Sequence, residues 1–206
     1  VVAMEVAHEI DAAQGLRVDG FMIYPAPNKW KQALDFLAEC KLRCTQEGLS
    51  APVLSTGGTP DILNVMADDN VTEYRAGSYI YNDRSLVEFG AVSEADCALS
   101  VLATVVSSPT EHRAVVDAGS KSLTSDLFGM EDFGIVKGHT EARVFALSEE
   151  HGHIEFSPRE RPLIGDKLEI IPNHACVVSN LVDYIHFVRG DYLVGKQAVV
   201  ARGTVT

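Results

Sequence analysis

The sequence predicts an α/β segment followed by an all-β domain. Two patterns carry this prediction. Up to residue 92, apolar residues at helical spacing alternate with short apolar runs, and from residue 93 onward short strands separated by Gly and Pro take over. The composition is that of a globular protein, with 46% hydrophobic and 22% charged residues in a chain of 206. We therefore predict two domains, 1–92 and 93–206.

The first domain reads as helices and strands in alternation. The predicted elements are a helix over 1–13, a strand over 17–24, a helix over 29–47, a strand over 52–55, a helix with Ile62, Leu63 and Met66 facing in, and a strand over 78–82. Asn28 is a candidate N-cap of the longest helix, and Gly48 should end it in a left-handed conformation. This order with short connections predicts a parallel sheet, either a barrel or doubly wound.

The second domain begins with a long apolar run, and turn residues separate the strand-like segments that follow. The predicted strands cover 97–107, 112–117, 142–147, 153–156, 167–171, 184–188 and 197–201. Glu149, Glu150 and His151 lie between two of them. They suit a solvated hairpin turn, and they also suit acid–base groups or partners of a metal ligand.

The charge balance excludes two classes of partner. With 17 Lys and Arg against 29 Asp and Glu the net charge is −12, whereas nucleic acids and anionic membrane surfaces bind clustered positive charge. No apolar run approaches the roughly 20 residues of a membrane-spanning helix. The four cysteines form no disulfide framework, and Cys40 and Cys44 should pack as small apolar groups, so a cytoplasmic location is expected.

A candidate phosphate site lies between a predicted strand and a predicted helix, at residues 55–60 (STGGTP). Gly57 and Gly58 let the backbone approach an anion, Thr59 is placed to cap the helix, and Pro60 suits the first helical position. Free N–H groups at a helix start favour a bound phosphate. The same residues also suit a plain strand–helix turn.

Residues 75–83 (RAGSYIYND) carry a second candidate contact. Gly77 permits close backbone approach just before the predicted strand over 78–82, and Tyr79 and Tyr81 would share one face of that strand. A tyrosine beside a phosphate loop could hydrogen-bond a cofactor, although tyrosines are also common in ordinary strands. In (β/α)8 barrels, phosphate often binds in the loops after the last two strands, which these two loops would be.

His174 and Cys176 form a candidate metal pair after the predicted strand over 167–171. In extended chain, residues two apart point the same way, and an imidazole with a thiolate suits Zn²⁺. Pro172 removes a ladder donor, so the pair is expected where the strand gives way to a loop. Two ligands do not close a structural zinc site, and the spacing also occurs by chance without metal.

Taken together, these segments resemble the D-threonine aldolase and D-serine dehydratase family, which consists of pyridoxal-phosphate enzymes of the alanine-racemase-like fold (fold type III). The matching stretches are GFMIYP (20–25), STGGTP (55–60), EYRAGSYIYND (73–83), DAGSKSLTSD (117–126), LSEEHGH (147–153), GDKLEIIPNHACVVSNLVD (165–183) and VARG (200–203). They follow the family order over nearly the whole chain. The combination is far more specific than any single stretch.

The resemblance implies that the first domain is the C-terminal part of a (β/α)8 barrel that holds pyridoxal 5′-phosphate, and that a β-rich domain follows. It implies that His174 and Cys176 bind a divalent metal such as Zn, Mn or Mg. The implied cofactor-contacting residues are Tyr24, Ser55, Gly57, Gly58, Thr59, Gly77, Ser78 and Tyr79. Family members form dimers that complete the active site, so a homodimer is expected.

One functional residue of the family has no counterpart. The Schiff-base lysine of the family lies near the N-terminus, on the first barrel strand, and none of the seven lysines here sits in that motif. Lys121, within DAGSKSLTSD, is not a substitute. Because the chain begins at Val1, we expect it to be the C-terminal part of a longer enzyme and to be inactive alone.

The resemblance implies a lyase whose substrates are small β-hydroxy D-amino acids. An aldolase would break the Cα–Cβ bond to give glycine and an aldehyde, whereas a D-serine dehydratase would remove the α-proton and expel the hydroxyl group. The stretches 24–30 (YPAPNKW) and 147–153 (LSEEHGH) look closer to the aldolase branch. A racemase is a third alternative, and a non-catalytic phosphate- or metal-binding fragment is the alternative from a different class.

Overall fold

Two structural units follow one another along the chain, Val1–Tyr79 and Ile80–Thr206. The computed structural model describes residues 2–26, 28–65 and 68–204. The first unit is mixed α/β and the second is mainly antiparallel β, as the sequence predicts. The predicted domain division after residue 92 falls within the second unit and stays a prediction.

The first unit is built on a parallel sheet with the strand order β1-β2-β3. Its helices and strands are α1 (Val2–Ala12), β1 (Gly20–Met22), α2 (Trp30–Glu47), β2 (Val53–Thr56), α3 (Ile62–Val65) and β3 (Glu73–Tyr74). Phe21 of β1 lies opposite Leu54 of β2, and Ser55 of β2 lies opposite Glu73 of β3. Because the strands run parallel, their carboxyl ends meet at one edge of the sheet.

The longest helix, α2, confirms the predicted periodicity. Its buried residues are Ala33, Leu34, Leu37, Cys40 and Cys44. Gly48 follows with φ 76°, and its N–H donates to the Cys44 carbonyl, as expected of a left-handed helix end. The prediction that Asn28 caps the helix is wrong, because Asn28 lies in a left-handed turn with φ 60° and the cap position falls to Lys29.

The third strand of this sheet differs from the prediction. Residues 78–82 do not form a strand, and Ser78–Ile80 is instead a short 3-10 helix. The strand lies earlier, at β3, where Thr56, the last residue of β2, pairs with Tyr74. Beyond that pair β2 offers no partner, and the strand propensity of tyrosines does not form a strand without one.

The short helix α3 also differs from its predicted orientation. Its buried residue is Val65, whereas Leu63 is 79% exposed. The 3-10 helix Thr59–Asp61 precedes α3 and changes the rotation per residue, which turns Leu63 outward. Met66, also predicted to face in, lies outside the described residues.

The second unit contains a six-stranded antiparallel sheet in the order β6-β9-β4-β5-β8-β7 and a separate hairpin, β10-β11. Its elements are α4 (Arg84–Glu88), β4 (Val101–Thr110), β5 (Arg113–Val116), α5 (Ser120–Leu123), β6 (Gly134–Val136), β7 (Arg143–Leu147), β8 (Gly152–Glu155), β9 (Lys167–Pro172), α6 (Ala175–Leu181), β10 (Tyr184–Arg189) and β11 (Tyr192–Ala198). The Phe133 N–H donates to the Val144 carbonyl at 3.0 Å, which joins the two ends of the sheet. The sheet is therefore nearly closed.

One apolar core fills this sheet. Its buried members are Ala103, Val105, Ala114, Val116, Ala118, Leu123, Val136, Val144, Ile154, Phe156, Leu168 and Ile170. Most predicted strands are present, but the first begins at Val101 because the 3-10 helix Glu94–Asp96 comes shortly before it. The last strand is β11, earlier than predicted, because the turn at Gly190 places Tyr192 opposite Arg189.

The buried cysteines behave as the predicted small apolar groups. Cys40 and Cys44 lie in the core of the first unit, and burial raises the pKa of both thiols. Burial also raises the pKa of Cys97 to about 11. These thiols therefore stay protonated and unreactive. Among the described residues, no helix is long and apolar enough to cross a membrane.

We expect the substitution Ile170→Ala to lower the free energy of unfolding by about 2–5 kcal/mol, because it leaves a cavity at a side chain with 0% exposure. The matched control is Leu102→Ala on the neighbouring strand, where the side chain is 67% exposed and the loss should stay below about 0.5 kcal/mol. Urea unfolding followed by far-UV circular dichroism measures both. Equal losses in the two variants would contradict the assigned core.

Candidate functional site

The glycine turn, residues 55–59, connects β2 to the 3-10 helix Thr59–Asp61. Gly58, with φ 131°, is the N-cap of that helix. The prediction that Thr59 is the cap is therefore wrong, because the backbone of Gly58 starts the helix one residue earlier. Pro60 occupies the first helical turn, as predicted.

Both glycines of the turn are required by close neighbours. A Cβ at Gly57 would lie 2.8 Å from the backbone N and O of Arg75, and a Cβ at Gly58 would lie 3.1 Å from the Tyr24 hydroxyl. The turn thus packs against the chain after β3. The structure also brings Tyr24, which follows β1, directly beside Gly58.

Tyr74 holds the turn from the end of β3. Its hydroxyl donates to the Gly58 carbonyl. Burial, and then electrostatic interactions with Asp61 and Tyr24, raise the pKa of Tyr74 to about 12, so the group stays a hydrogen-bond donor. Sequence reasoning missed this residue, although it lies in the stretch 73–83 that carries the family resemblance.

Ser55 ties the three strands together through its side chain. Its hydroxyl donates to Glu73 Oε1 at 2.5 Å and accepts from Arg75 Nε at 3.0 Å. Arg75 Nη2 in turn donates to the Ile23 carbonyl at 3.1 Å. The Ser55 side chain is therefore already engaged at the carboxyl ends of the strands, and its contact with a phosphate stays a prediction.

Two buried hydroxyl groups mark the turn as suited to a ligand. Thr56 Oγ1 and Thr59 Oγ1 are buried and have no hydrogen-bond partner in the part of the chain that the structure describes. Buried polar groups are nearly always paired, so these oxygens are available to an acceptor-rich ligand. Gly77 lies on a later turn in open space, and Tyr79 is half exposed.

The second candidate site lies where β9 passes into α6. His174 is the N-cap of α6, with extended backbone, and Cys176 lies in the first turn of the helix. The predicted strand end at Pro172 is confirmed, but the segment after it is a helix start and not a loop. Its geometry is set by Asn173, whose side chain is fully buried and donates to the carbonyls of Asp126 (3.0 Å) and Asp132 (2.7 Å).

His174 is held by acidic neighbours. Its Nδ1 donates to Asp126 Oδ2 at 2.6 Å, and the edge of the ring contacts Phe128. The hydrogen bond with Cys176 first, and then the hydrogen bond with Asp126, raise the pKa of His174 to about 9 against the opposing effect of burial. The surroundings of the ring therefore favour positive charge. Sequence spacing could not reveal Asp126, which lies 48 residues from His174.

The donor set of this site suits a divalent cation bound by two side chains. Imidazole and thiolate are ligands of zinc and similar metals, and a carboxylate on the second imidazole nitrogen is a common way to orient such a ligand. Among the described residues, no group of three or more His, Cys, Asp and Glu could hold a metal. A cation here would therefore complete its coordination with water or substrate.

Glu149, Glu150 and His151 lie in an exposed hairpin turn, which is the simpler of the two predictions for this segment. Glu149 and Glu150 lie in the turn between β7 and β8, and both pair with Lys121, at 3.0 and 2.7 Å. The hydrogen bonds to Glu150 and Glu149 raise the pKa of Lys121. A charged, exposed amine is the opposite of the neutral amine that an imine-forming lysine requires.

Comparisons with known proteins show which family this chain belongs to. Residues 98–188 match the family described as "Putative serine dehydratase domain". A D-serine dehydratase from Dictyostelium discoideum is 32% identical over 163 residues, which is 70% of this chain and 41% of that enzyme. The chain belongs to the D-threonine aldolase and D-serine dehydratase family. The family predicted from the sequence motifs is thus confirmed.

Two further relatives of this chain differ from one another in length. D-threo-3-hydroxyaspartate dehydratase from Delftia is 34% identical over 194 residues, covering 80% of this chain and 51% of that enzyme. An uncharacterised protein from Mycobacterium tuberculosis is 41% identical over 128 residues, covering 59% of this chain and 96% of that protein. The chain thus spans about half or less of the two dehydratases.

Solved structures confirm the predicted alanine-racemase-like fold. D-threonine aldolase from Filomicrobium marinum matches with a TM-score of 0.83 at 25% identity, covering 99% of this chain and 59% of that chain. A cysteine-to-alanine mutant of D-threo-3-hydroxyaspartate dehydratase in the metal-free form matches with a TM-score of 0.73 at 26% identity, covering 89% and 56%. An alanine-racemase-like protein from Idiomarina loihiensis, at 22% identity, has a TM-score of 0.75 over 89% of this chain and 56% of that chain.

We expect Gly58→Ala to destabilise the first unit by about 1–3 kcal/mol, since alanine disfavours φ 131° and its Cβ would press on Tyr24. Gly77→Ala is the matched control: it meets open space without a positive φ and should change stability by less than about 1 kcal/mol. Trp30, the single tryptophan, lies in α2 and reports unfolding of this unit by fluorescence. A tolerated alanine at Gly58 would contradict the described turn.

Proposed function

We propose that this chain supplies the phosphate-binding and metal-binding residues of a pyridoxal-phosphate- and metal-dependent lyase that acts on β-hydroxy D-amino acids. Membership of a family that includes aldolases and dehydratases supports this proposal. The observation that carries it is the combination of an H-x-C pair at a helix start with a glycine turn whose two buried hydroxyls have no hydrogen-bond partner among the described residues.

In the first unit, the glycine turn would hold the cofactor phosphate. Gly57 and Gly58 allow the backbone to approach it, and Thr56 and Thr59 offer buried hydroxyl groups as donors. Ser55, Gly77, Ser78 and Tyr79 complete the proposed contacts, with Tyr24 beside the turn. Once bound, pyridoxal phosphate acts as an electron sink for carbanion character at the substrate Cα.

In the second unit, His174 and Cys176 would bind a divalent cation such as Zn, Mn or Mg. Structures of D-threo-3-hydroxyaspartate dehydratase include a histidine-to-alanine mutant and a cysteine-to-alanine mutant in the metal-free form, at positions two residues apart. That spacing equals the spacing of His174 and Cys176. His174 and Cys176 would hold this cation so that its Lewis acidity could lower the pKa of a substrate β-hydroxyl group.

We propose a D-threonine aldolase-like reaction, in which the Cα–Cβ bond breaks and glycine and an aldehyde leave. The match to D-threonine aldolase over 99% of the chain supports this choice. A dehydratase reaction is the second candidate, favoured by the H-x-C spacing shared with D-threo-3-hydroxyaspartate dehydratase. In both reactions His174 and Cys176 would hold the cation near the hydroxyl oxygen, and Asp126 would keep the imidazole oriented.

The cofactor-binding lysine of the family has no counterpart among the seven lysines, all of which are exposed. We therefore propose that the functional enzyme contains a Schiff-base lysine outside these 206 residues. We also propose that the functional enzyme is a homodimer. By themselves, the 206 residues would bind phosphate and metal without turnover.

The gene product that contains these residues should convert D-threonine to glycine and acetaldehyde, and His174→Ala should lower kcat/KM by about 100-fold or more, because the hydroxyl group loses its Lewis acid. The measurement scores glycine plus aldehyde against ammonia plus ketoacid, with D-threonine and D-serine as substrates. Predominant ammonia and ketoacid would select the dehydratase instead. Turnover by the 206 residues alone would contradict the proposed dependence on an outside lysine.

Metal binding can be tested apart from activity. The purified chain should bind about one Zn²⁺ per protomer, and His174→Ala or Cys176→Ala should each reduce the bound metal severalfold or more, since each removes one of two ligands. His151→Ala, on the exposed hairpin, is the control and should retain wild-type metal content. Elemental analysis after gel filtration gives the ratio, and unchanged content in both ligand variants would exclude the pair.

A further inference from the structure

The Asp83 carboxylate is buried, with 1% of the residue exposed, at the start of α4. One oxygen accepts hydrogen bonds from the Ser85 hydroxyl (2.6 Å) and the Leu86 N–H (3.3 Å), which is ordinary N-capping. The other oxygen accepts from the N–H of Ala175 at 2.8 Å, 92 residues further along the chain. Capping α4 does not require this second contact.

Ala175 is the residue between His174 and Cys176. Its N–H belongs to the peptide group that joins it to His174, so the bond to Asp83 fixes the plane of that peptide. The Ser85 N–H also donates to the Asn173 carbonyl at 3.3 Å. Residues at the start of α4 therefore form hydrogen bonds with the residues immediately before and immediately after His174.

Other groups also hold this segment. The Asn173 side chain bonds two carbonyls, as described above, and Asp126 bonds the imidazole of His174. The bond from Asp126 orients the ring, whereas the bond to Asp83 holds the backbone between His174 and Cys176. By fixing the peptide group between His174 and Ala175, Asp83 affects the orientation of both the His174 and the Cys176 side chains.

We propose that Asp83 is a positioning residue for the metal pair: it holds the peptide between His174 and Ala175 so that the imidazole and the thiolate face one cation. This inference rests on the proposed metal function. A pair formed by the N-cap residue and a first-turn residue of a short helix would otherwise have to be ordered on binding, and groups that pre-orient ligands raise metal affinity.

The test compares two substitutions that each remove a different contact of Asp83. Asp83→Ser still caps α4 but is too short to reach the Ala175 N–H. Asp83→Asn has one acceptor oxygen, which is long enough to accept from the Ala175 N–H, while its amide NH2 takes the place of the oxygen that caps Leu86. We titrate the chain with Co²⁺, follow the sulfur-to-cobalt charge-transfer band, and obtain the Zn²⁺ affinity by competition. We expect Asp83→Ser to raise the Kd about tenfold or more and to weaken the band, and Asp83→Asn to stay within about threefold of the wild type.

Asp96→Ser is the matched control. The Asp96 carboxylate accepts the Ser93 N–H (2.9 Å) and the Ser93 hydroxyl (2.6 Å) in another capping arrangement of the same unit. Its loss should leave the Kd and the band unchanged. Thermal unfolding of all variants separates a loss of stability from a loss of metal affinity. If Asp83→Ser does not fold, Asp83→Glu, which keeps the charge but displaces the acceptor, takes its place with the same expected loss.

The outcomes distinguish this inference from the proposed function. A wild-type chain that binds Co²⁺ through sulfur, together with wild-type affinity and spectrum in folded Asp83→Ser, overturns the role of Asp83 and leaves the metal pair intact. A wild-type chain without a sulfur-to-cobalt band overturns both. Weakened binding in Asp83→Ser that Asp83→Asn restores supports the positioning role.

Discussion

Strand β9 is the element on which the second unit depends. It pairs with β4 on one side and with β6 on the other, and its side chains Leu168 and Ile170 lie in the core of the sheet. Removing this apolar face from water is the main favourable contribution to such a sheet. Because β9 ends at Pro172 and leads through Asn173 to His174, a well-buried strand sets the position of His174 and Cys176.

Hydrogen bonds from distant parts of the chain fix the orientation of the segment around His174. Asn173, Asp126 and Asp83 each contact the short segment around His174 through a different group: a side-chain amide, a carboxylate on the imidazole, and a carboxylate on a backbone N–H. Each of these bonds restrains the segment, because a buried donor that loses its partner is costly to leave unpaired. The segment is thereby ordered before any ligand arrives.

In the first unit, close backbone packing holds the glycine turn in place. Gly57 and Gly58 let the turn after β2 pack against Arg75 and Tyr24, at distances that a Cβ would not allow. Tyr74 then holds the Gly58 carbonyl. The overall charge of −12 is unfavourable to anions, so the proposed phosphate at this turn would depend on local N–H and hydroxyl donors.

The sequence by itself determined the features that are local in the chain: the buried face of α2, its end at Gly48, the strand end at Pro172, the glycine turn, and the order of motifs that identifies the family. Periodicity, turn chemistry and proline act within a few residues, so they can be recognised without the fold. Only the tertiary structure decided that the third parallel strand is β3 and that Asp83 meets Ala175. Strand partners and bonds across 92 residues depend on packing, which leaves no periodic signal.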